Sequence, residues 1–140
     1  MQKIAVEGVL AVKKWITFCA VAAAVAVVCC CLWGLWLFPE ENGTLTYVYG
    51  DRDIHVILTK EETAAVCRIL NGKWMYEDNP SCGFSENISI TVDGVTLALA
   101  CDSCGQMKNC GNGKYVFLFP QERQTIEDIF QTYGGKFPCV

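Results

Sequence analysis

The chain has 140 residues, ten of them cysteine and only one histidine, with a formal charge of −4. That length holds one small domain besides the apolar run described below. From Pro39 onward there are 8 basic and 14 acidic residues, a balance of −6. This excludes the basic footprint that phosphate backbones and anionic lipid surfaces require, so nucleic acid is not an expected partner.

Residues 1–14 form a short amino-terminal stub carrying Lys3, Lys13 and Lys14 against Glu7. The run 15–38, Trp15 to Phe38, contains no charged residue, and its 24 residues suffice to cross a hydrocarbon core of roughly 30 Å as a helix. The lysines before it and Glu40 and Glu41 after it orient the stub to the cytoplasm and the rest of the chain outside. Trp15, Trp33 and Trp36 suit interfacial positions. A cleaved signal peptide is the rival reading, but its apolar core would be shorter and would end at a small-x-small site. Ala22 and Ala24 offer such a pair, and the apolar run continues far beyond them. The expectation is therefore a single-pass, uncleaved signal-anchor in the cell membrane. Cys19, Cys29, Cys30 and Cys31 read as apolar filler inside it, with acylation of the Cys29–Cys31 cluster as the alternative.

After a polar linker over 39–43, residues 44–140 read as an α+β domain. Thr44 to Tyr49 and Ile54 to Thr59 are β-branched, strand-like runs around a Gly50–Asp53 turn. Thr59 with Glu62 forms a capping box ahead of a helix whose stripe is Val66, Ile69 and Leu70 and whose end is Asn71-Gly72. A long connection, Lys73 to Ser85, follows. Ile88, Ile90 and Val92 then alternate with polar residues, Asp93-Gly94 turns the chain, and Val95, Leu97 and Leu99 alternate back, the pattern of a two-residue hairpin with one buried face. Cys101 to Gly113 reads as a glycine-rich loop and Lys114 to Phe119 as an interior strand. Pro120 opens a helix to Tyr133 with Ile126, Ile129 and Phe130 on its stripe, closed by Gly134-Gly135. The whole predicts an antiparallel sheet of about five strands with two helices packed on one face. The strand-then-helix patterns around Val56–Leu70 and Val116–Phe130 are alike. That likeness fits a weak internal repeat or the shared binary pattern of two ordinary units.

Six cysteines lie in the domain: Cys67, Cys82, Cys101, Cys104, Cys110 and Cys139. An even number in an extracytoplasmic domain suits a disulfide framework. The hairpin register brings Cys82 towards Cys104 or Cys101, and a last helix returning along the last strand brings Cys139 towards Cys110. Cys67, beside a helical stripe, pairs with a leftover or stays buried. Two other chemistries use the same residues. Cys101-x-x-Cys104 with Cys110, and Cys82 or Cys139 as the fourth thiolate, forms a tetrahedral zinc set. Cys101 and Cys104 as a redox dithiol would make a membrane-tethered thiol oxidoreductase, although such pairs need a helix amino terminus behind them. His55 alternates with Ile54 and Val56 and points to the wetter face of its strand. Asp51 and Asp53 are turn residues, with calcium ligation as the alternative. Glu61 and Glu62 are first-turn charges. Asn42 and Asn87 head glycosylation triplets that matter only in a eukaryotic secretory pathway. The functional expectation is thus an integral membrane protein whose disulfide-stabilised domain binds a protein partner at the cell surface, without catalysis and without a cofactor unless zinc.

Overall fold

The computed structural model describes the backbone of residues 2–139 and the side chains of residues 12–29 and 34–139. The expectations placed on Lys3, Glu7, Cys30, Cys31 and Trp33 concern side chains outside the described residues. The chain forms two compact units, 1–33 and 34–140. The first is helix α1 (Gln2–Trp33), which covers the stub and the apolar run as far as Trp33. Within it Val12–Cys29 has a mean hydropathy of 1.8, long and apolar enough to span a membrane by length and composition. Its described side chains are all exposed.

The helix closes at Trp33, so the last five residues of the apolar run are not helical. This corrects the expected 15–38 span. Gly34 bridges Trp74, the Leu35 N–H donates to the Lys73 carbonyl at 2.8 Å, and the Gly72 N–H donates to the Leu35 carbonyl at 2.8 Å. Leu35 and Leu37 are buried in the domain core. The Asn71 side chain completes the join. Its Oδ1 accepts from the Leu37 N–H at 2.7 Å and its Nδ2 donates to the Leu37 carbonyl at 3.1 Å. The expected linker is also tied down, since the Gly43 N–H donates to Thr63 Oγ1 at 2.9 Å.

The second unit is an α+β fold. Its strands are β1 (Thr44–Tyr49), β2 (Arg52–Ile57), β3 (Met75–Tyr76), β4 (Ile88–Val92), β5 (Val95–Leu99), β6 (Gln106–Asn109) and β7 (Tyr115–Phe117). They form one antiparallel sheet in the order β2-β1-β4-β5-β6-β7-β3. Seven strands replace the expected five, because β3 lies within the long connection and β6 within the supposed cysteine loop. The Asp93-Gly94 turn has both residues at positive φ, 53° and 71°, as a primed two-residue turn requires, and pairs Val92 with Val95.

Helices α2 (Lys60–Leu70) and α3 (Pro120–Thr132) bury Val66, Leu70, Ile126 and Phe130 with Leu45, Tyr47, Ile88, Ile90, Leu97, Leu99, Met107 and Val116 in one core. These sheet residues alternate along their strands, so both helices cover the same face. The helices run antiparallel. Tyr133 at the end of α3 donates to Glu62 Oε2 in the first turn of α2 at 2.7 Å, while Lys73 beyond α2 pairs with Glu122 in the first turn of α3 at 2.7 Å. Burial pulls the Glu62 carboxyl upward, but bonds from the Thr59 backbone, the Tyr133 hydroxyl and the Thr59 side chain outweigh it and hold its pKa below the ordinary value.

The likeness of the two strand–helix patterns has a geometric counterpart. In each, an inner strand leads by a turn to an outer strand and then to a helix: β1, β2, α2 on one side of the β4–β5 hairpin, and β6, β7, α3 on the other. The Leu58 N–H donates to the Gly43 carbonyl at 2.8 Å, as the Leu118 N–H does to the Gly105 carbonyl at 2.9 Å. Glu62 and Glu122 both reach back to the N–H of the residue capping their helix, each at 2.8 Å. Buried Thr63 bonds the backbone at Gly43, and buried Arg123 bonds the backbone at Cys104. The domain is a pseudo-twofold pair of strand–strand–helix units around a central hairpin.

Candidate functional site

The six domain cysteines separate into two bridges and two thiols. Cys82 bonds Cys104 across 22 residues, with Cα atoms 6.4 Å apart, and Cys101 bonds Cys139 across 38 residues, with Cα atoms 5.1 Å apart. The first is one of the two pairings that the hairpin register left open. The second corrects the expected bridge from Cys110 to Cys139. Because Gln106–Asn109 is a strand antiparallel to β5, Cys110 is carried to the far end of β6, where its N–H donates to the Thr96 carbonyl at 2.9 Å. Cys110 is a half-buried free thiol whose pKa is pushed up, first by burial and then by the charge of Glu86. Cys67 is a buried free thiol on α2, pushed up first by burial and then by Asp93.

Both bridges meet in the turn Cys101–Cys104, and a buried arginine shapes that turn. The Arg123 guanidinium donates to the carbonyls of Cys104 and Asp102, and to that of Ala100 at 3.1 Å, while its Nε donates to Glu127 at 2.7 Å. A single planar fork therefore satisfies three carbonyls that leave the end of β5, with its charge balanced by a carboxylate one helical turn away. Asp102 caps the same turn by accepting from the Cys104 N–H at 2.9 Å. On both sides of Cys82, the connection lies against the sheet face opposite the helices. Phe84 packs edge-on against Tyr115 at 5.3 Å, and Gln106 Nε2 donates to Tyr76 and Asp78, each at 2.8 Å.

Beside the turn lies a cleft of about 750 Å³. Phe117, Pro120, Phe137 and Pro138 wall it, Arg123 lies at its base and Asp102 at its rim. Phe117 meets Phe119 edge-on at 5.4 Å, and both are exposed. The guanidinium already serves carbonyls and Glu127, so the cleft offers apolar surface and a carboxylate rim rather than an anion site.

Each alternative chemistry can be located on this geometry. Atoms of Cys82, Asp102 and Cys104 lie within 4.8 Å of one another, but the two sulfurs are bonded together, and Cys110 is at the other end of β6. A thiolate zinc set from these residues would require both bridges opened and Cys110 moved across the sheet. Cys101 and Cys104 are bonded to Cys139 and Cys82 rather than to each other, and β6, not a helix amino terminus, follows them. His55 sits on β2, at the sheet edge remote from the cysteine turn. It bonds Asp53 at 2.9 Å and Thr46 at 3.3 Å, with imidazole and carboxylate 63% and 75% exposed. The order hydroxyl, imidazole, carboxylate matches a proton relay, but at that exposure no water is excluded from it.

Arg123 was not among the expected functional residues. The available signal was a charged residue on the Ile126–Phe130 stripe with a glutamate four positions on. Comparison with protein-family models, with curated proteins and with solved structures found no match for this chain.

Proposed function

We propose that the protein is a single-pass membrane-anchored domain that works outside the cytoplasm and binds a protein partner at the cell surface, without catalysing a reaction. The observation that carries this reading is the pairing of an apolar helix, whose described side chains are all exposed, with a domain cross-linked by two disulfides. Disulfides persist where thiols are not kept reduced, and such a helix needs a hydrocarbon surround. Lys13 and Lys14 ahead of the apolar segment support an orientation with the amino terminus inside and the domain outside. The partner surface is the cleft beside the cysteine turn, where Phe117, Phe137 and Pro138 supply apolar contact.

The test is protease shaving of intact cells or spheroplasts that express the full chain, combined with mass spectrometry of the purified protein. Loss of residues 40–140 to external protease, with four domain cysteines oxidised and no metal bound, is the expected result. Protection of the domain, or free thiols with one bound zinc, overturns the reading and favours the zinc-thiolate alternative.

A further inference from the structure

The two halves of the domain differ at their outer edges: among the described residues, β7 carries a further strand on its outer side and β2 does not. In the second half, the outer edge of β7 is occupied by β3, which pairs Tyr76 with Tyr115 and Met75 with Val116. In the first half, the equivalent strand β2 ends the sheet. Superposing the repeat puts His55 at the place of Tyr115 and Ile57 at the place of Phe117.

The parity of the ladder fixes which β2 groups face outward. The Leu58 N–H bonds the Gly43 carbonyl, and the register runs unbroken from there to Tyr49–Arg52. Hence Arg52, Ile54, Val56 and Leu58 direct their backbone bonds inward to β1, while Asp53, His55 and Ile57 direct N–H and C=O groups outward. Of the usual devices that blunt an edge, this one carries only the exposed carboxylate of Asp53. It holds no lysine or proline and no bulge interrupts the register, and its one basic residue, Arg52, turns away to bond the Gly134 carbonyl. Ile57 is 71% exposed at its end.

The outward groups are self-complementary. We infer that a second copy of this chain docks on β2, antiparallel, about a twofold axis through His55 and perpendicular to the sheet. His55 then pairs with its own symmetry mate, and Asp53 pairs with Ile57 of the other copy, twice. Three such pairs exchange about six backbone hydrogen bonds. On the helix-covered face, half-buried Ile54 falls opposite Val56 of the second copy, again twice, which gives β-branched cross-strand contacts. The sheets join into one continuous sheet with all four domain helices on one side. An extended peptide from a different protein could use the same outward groups, but it would not reproduce the paired Ile54–Val56 contacts.

The experiment is sedimentation equilibrium of the full chain in density-matched detergent micelles. The wild-type protein is expected at twice the chain mass. His55→Pro removes one outward N–H, which an edge strand tolerates, and is expected at the single-chain mass. Ile57→Asp sets like charges opposite Asp53 at both symmetric positions and should raise the dimer dissociation constant roughly tenfold, whereas Ile57→Lys should leave it unchanged or lower it. A monomeric wild-type protein, or a His55→Pro dimer as tight as wild type, overturns the inference. If His55→Pro does not fold, judged by circular dichroism and intact disulfides, the two Ile57 variants decide, and equal behaviour of aspartate and lysine overturns it.

Discussion

Removing the disulfides one at a time tests whether the cysteine turn is the joint that holds the domain together. The chain-entropy estimate for cross-linking depends on the residues enclosed, 22 for Cys82–Cys104 and 38 for Cys101–Cys139. These separations give about 3.4 and about 3.9 kcal/mol at 25 °C. The two loops overlap only between Cys101 and Cys104, and neither bridge shortens the path closed by the other. The two contributions should therefore nearly add, to about 7 kcal/mol, a large part of the roughly 5–15 kcal/mol that holds a typical domain folded. Paired alanine variants (C82A/C104A, C101A/C139A and all four together) can be compared by urea unfolding of the full chain in micelles, read by pulse proteolysis. Each pair should lower stability by about 3–4 kcal/mol, and the quadruple variant should be largely unfolded without urea. A single-pair loss below about 1 kcal/mol, or a quadruple variant no weaker than one pair, would show that the denatured chain is already held compact and that the entropic reasoning fails.

Arg123→Met leaves three carbonyls and the Glu127 carboxylate without their partner and should cost about 3–5 kcal/mol; the double variant R123M/E127L should cost less, because no buried charge is stranded, and urea midpoints of the two decide it. Leu37→Ala should cost about 2–5 kcal/mol, since Leu37 is 1% exposed within the domain core; a residue facing lipid in a helix would show no such loss. For Glu62, a lowered folded-state pKa means that its stabilisation is in place above the ordinary value of 4.5 and is lost as pH falls through the lowered one. Glu62→Gln should therefore flatten the fall in urea midpoint as the pH drops below 4.5; an unchanged acid slope would refute this.

How much of this was legible depended on whether the signal was local. The Asp93-Gly94 hairpin and both helices, with the Thr59–Glu62 box and Pro120, lie where the sequence pattern puts them, because turn chemistry and capping act within four residues. β6 was hidden because Gln106–Asn109 alternates Met107 with polar residues inside a glycine-rich stretch, and β3 because two residues carry no period. Missing β6 also misplaced Cys110, so one omitted strand explains the wrong bridge. Leu35 and Leu37 were absorbed into the apolar run, since a buried extended segment and a membrane helix share the same residue types. Their role is set by Asn71, a long-range partner that no window on residues 15–38 contains.

The pseudo-twofold gives the cysteines a reason for their positions. In the first half, the segment entering β1 is bonded to the segment leaving α2, through Leu35–Lys73 and the Asn71–Leu37 exchange. In the second half, the corresponding join is between Cys101, ahead of β6, and Cys139, beyond α3. Its backbone bond, Cys139 N–H to the Cys101 carbonyl, is long at 3.3 Å, and the residues beyond α3 are held besides by Phe137 against Tyr47 and Phe130, and by the Tyr47 hydroxyl and the Arg52 guanidinium donating to the Lys136 and Gly134 carbonyls. A covalent bridge there does what two side-chain amide bonds do in the first half. Cys82–Cys104 holds the one long connection, from β3 to β4, against the sheet. Both bridges thus secure segments that backbone pairing leaves weakly held, and both end on the turn that Arg123 fixes. Among the described residues, the outer edge of β2 is the remaining unpaired element of the first half, at the position that β3 fills beside β7 in the second.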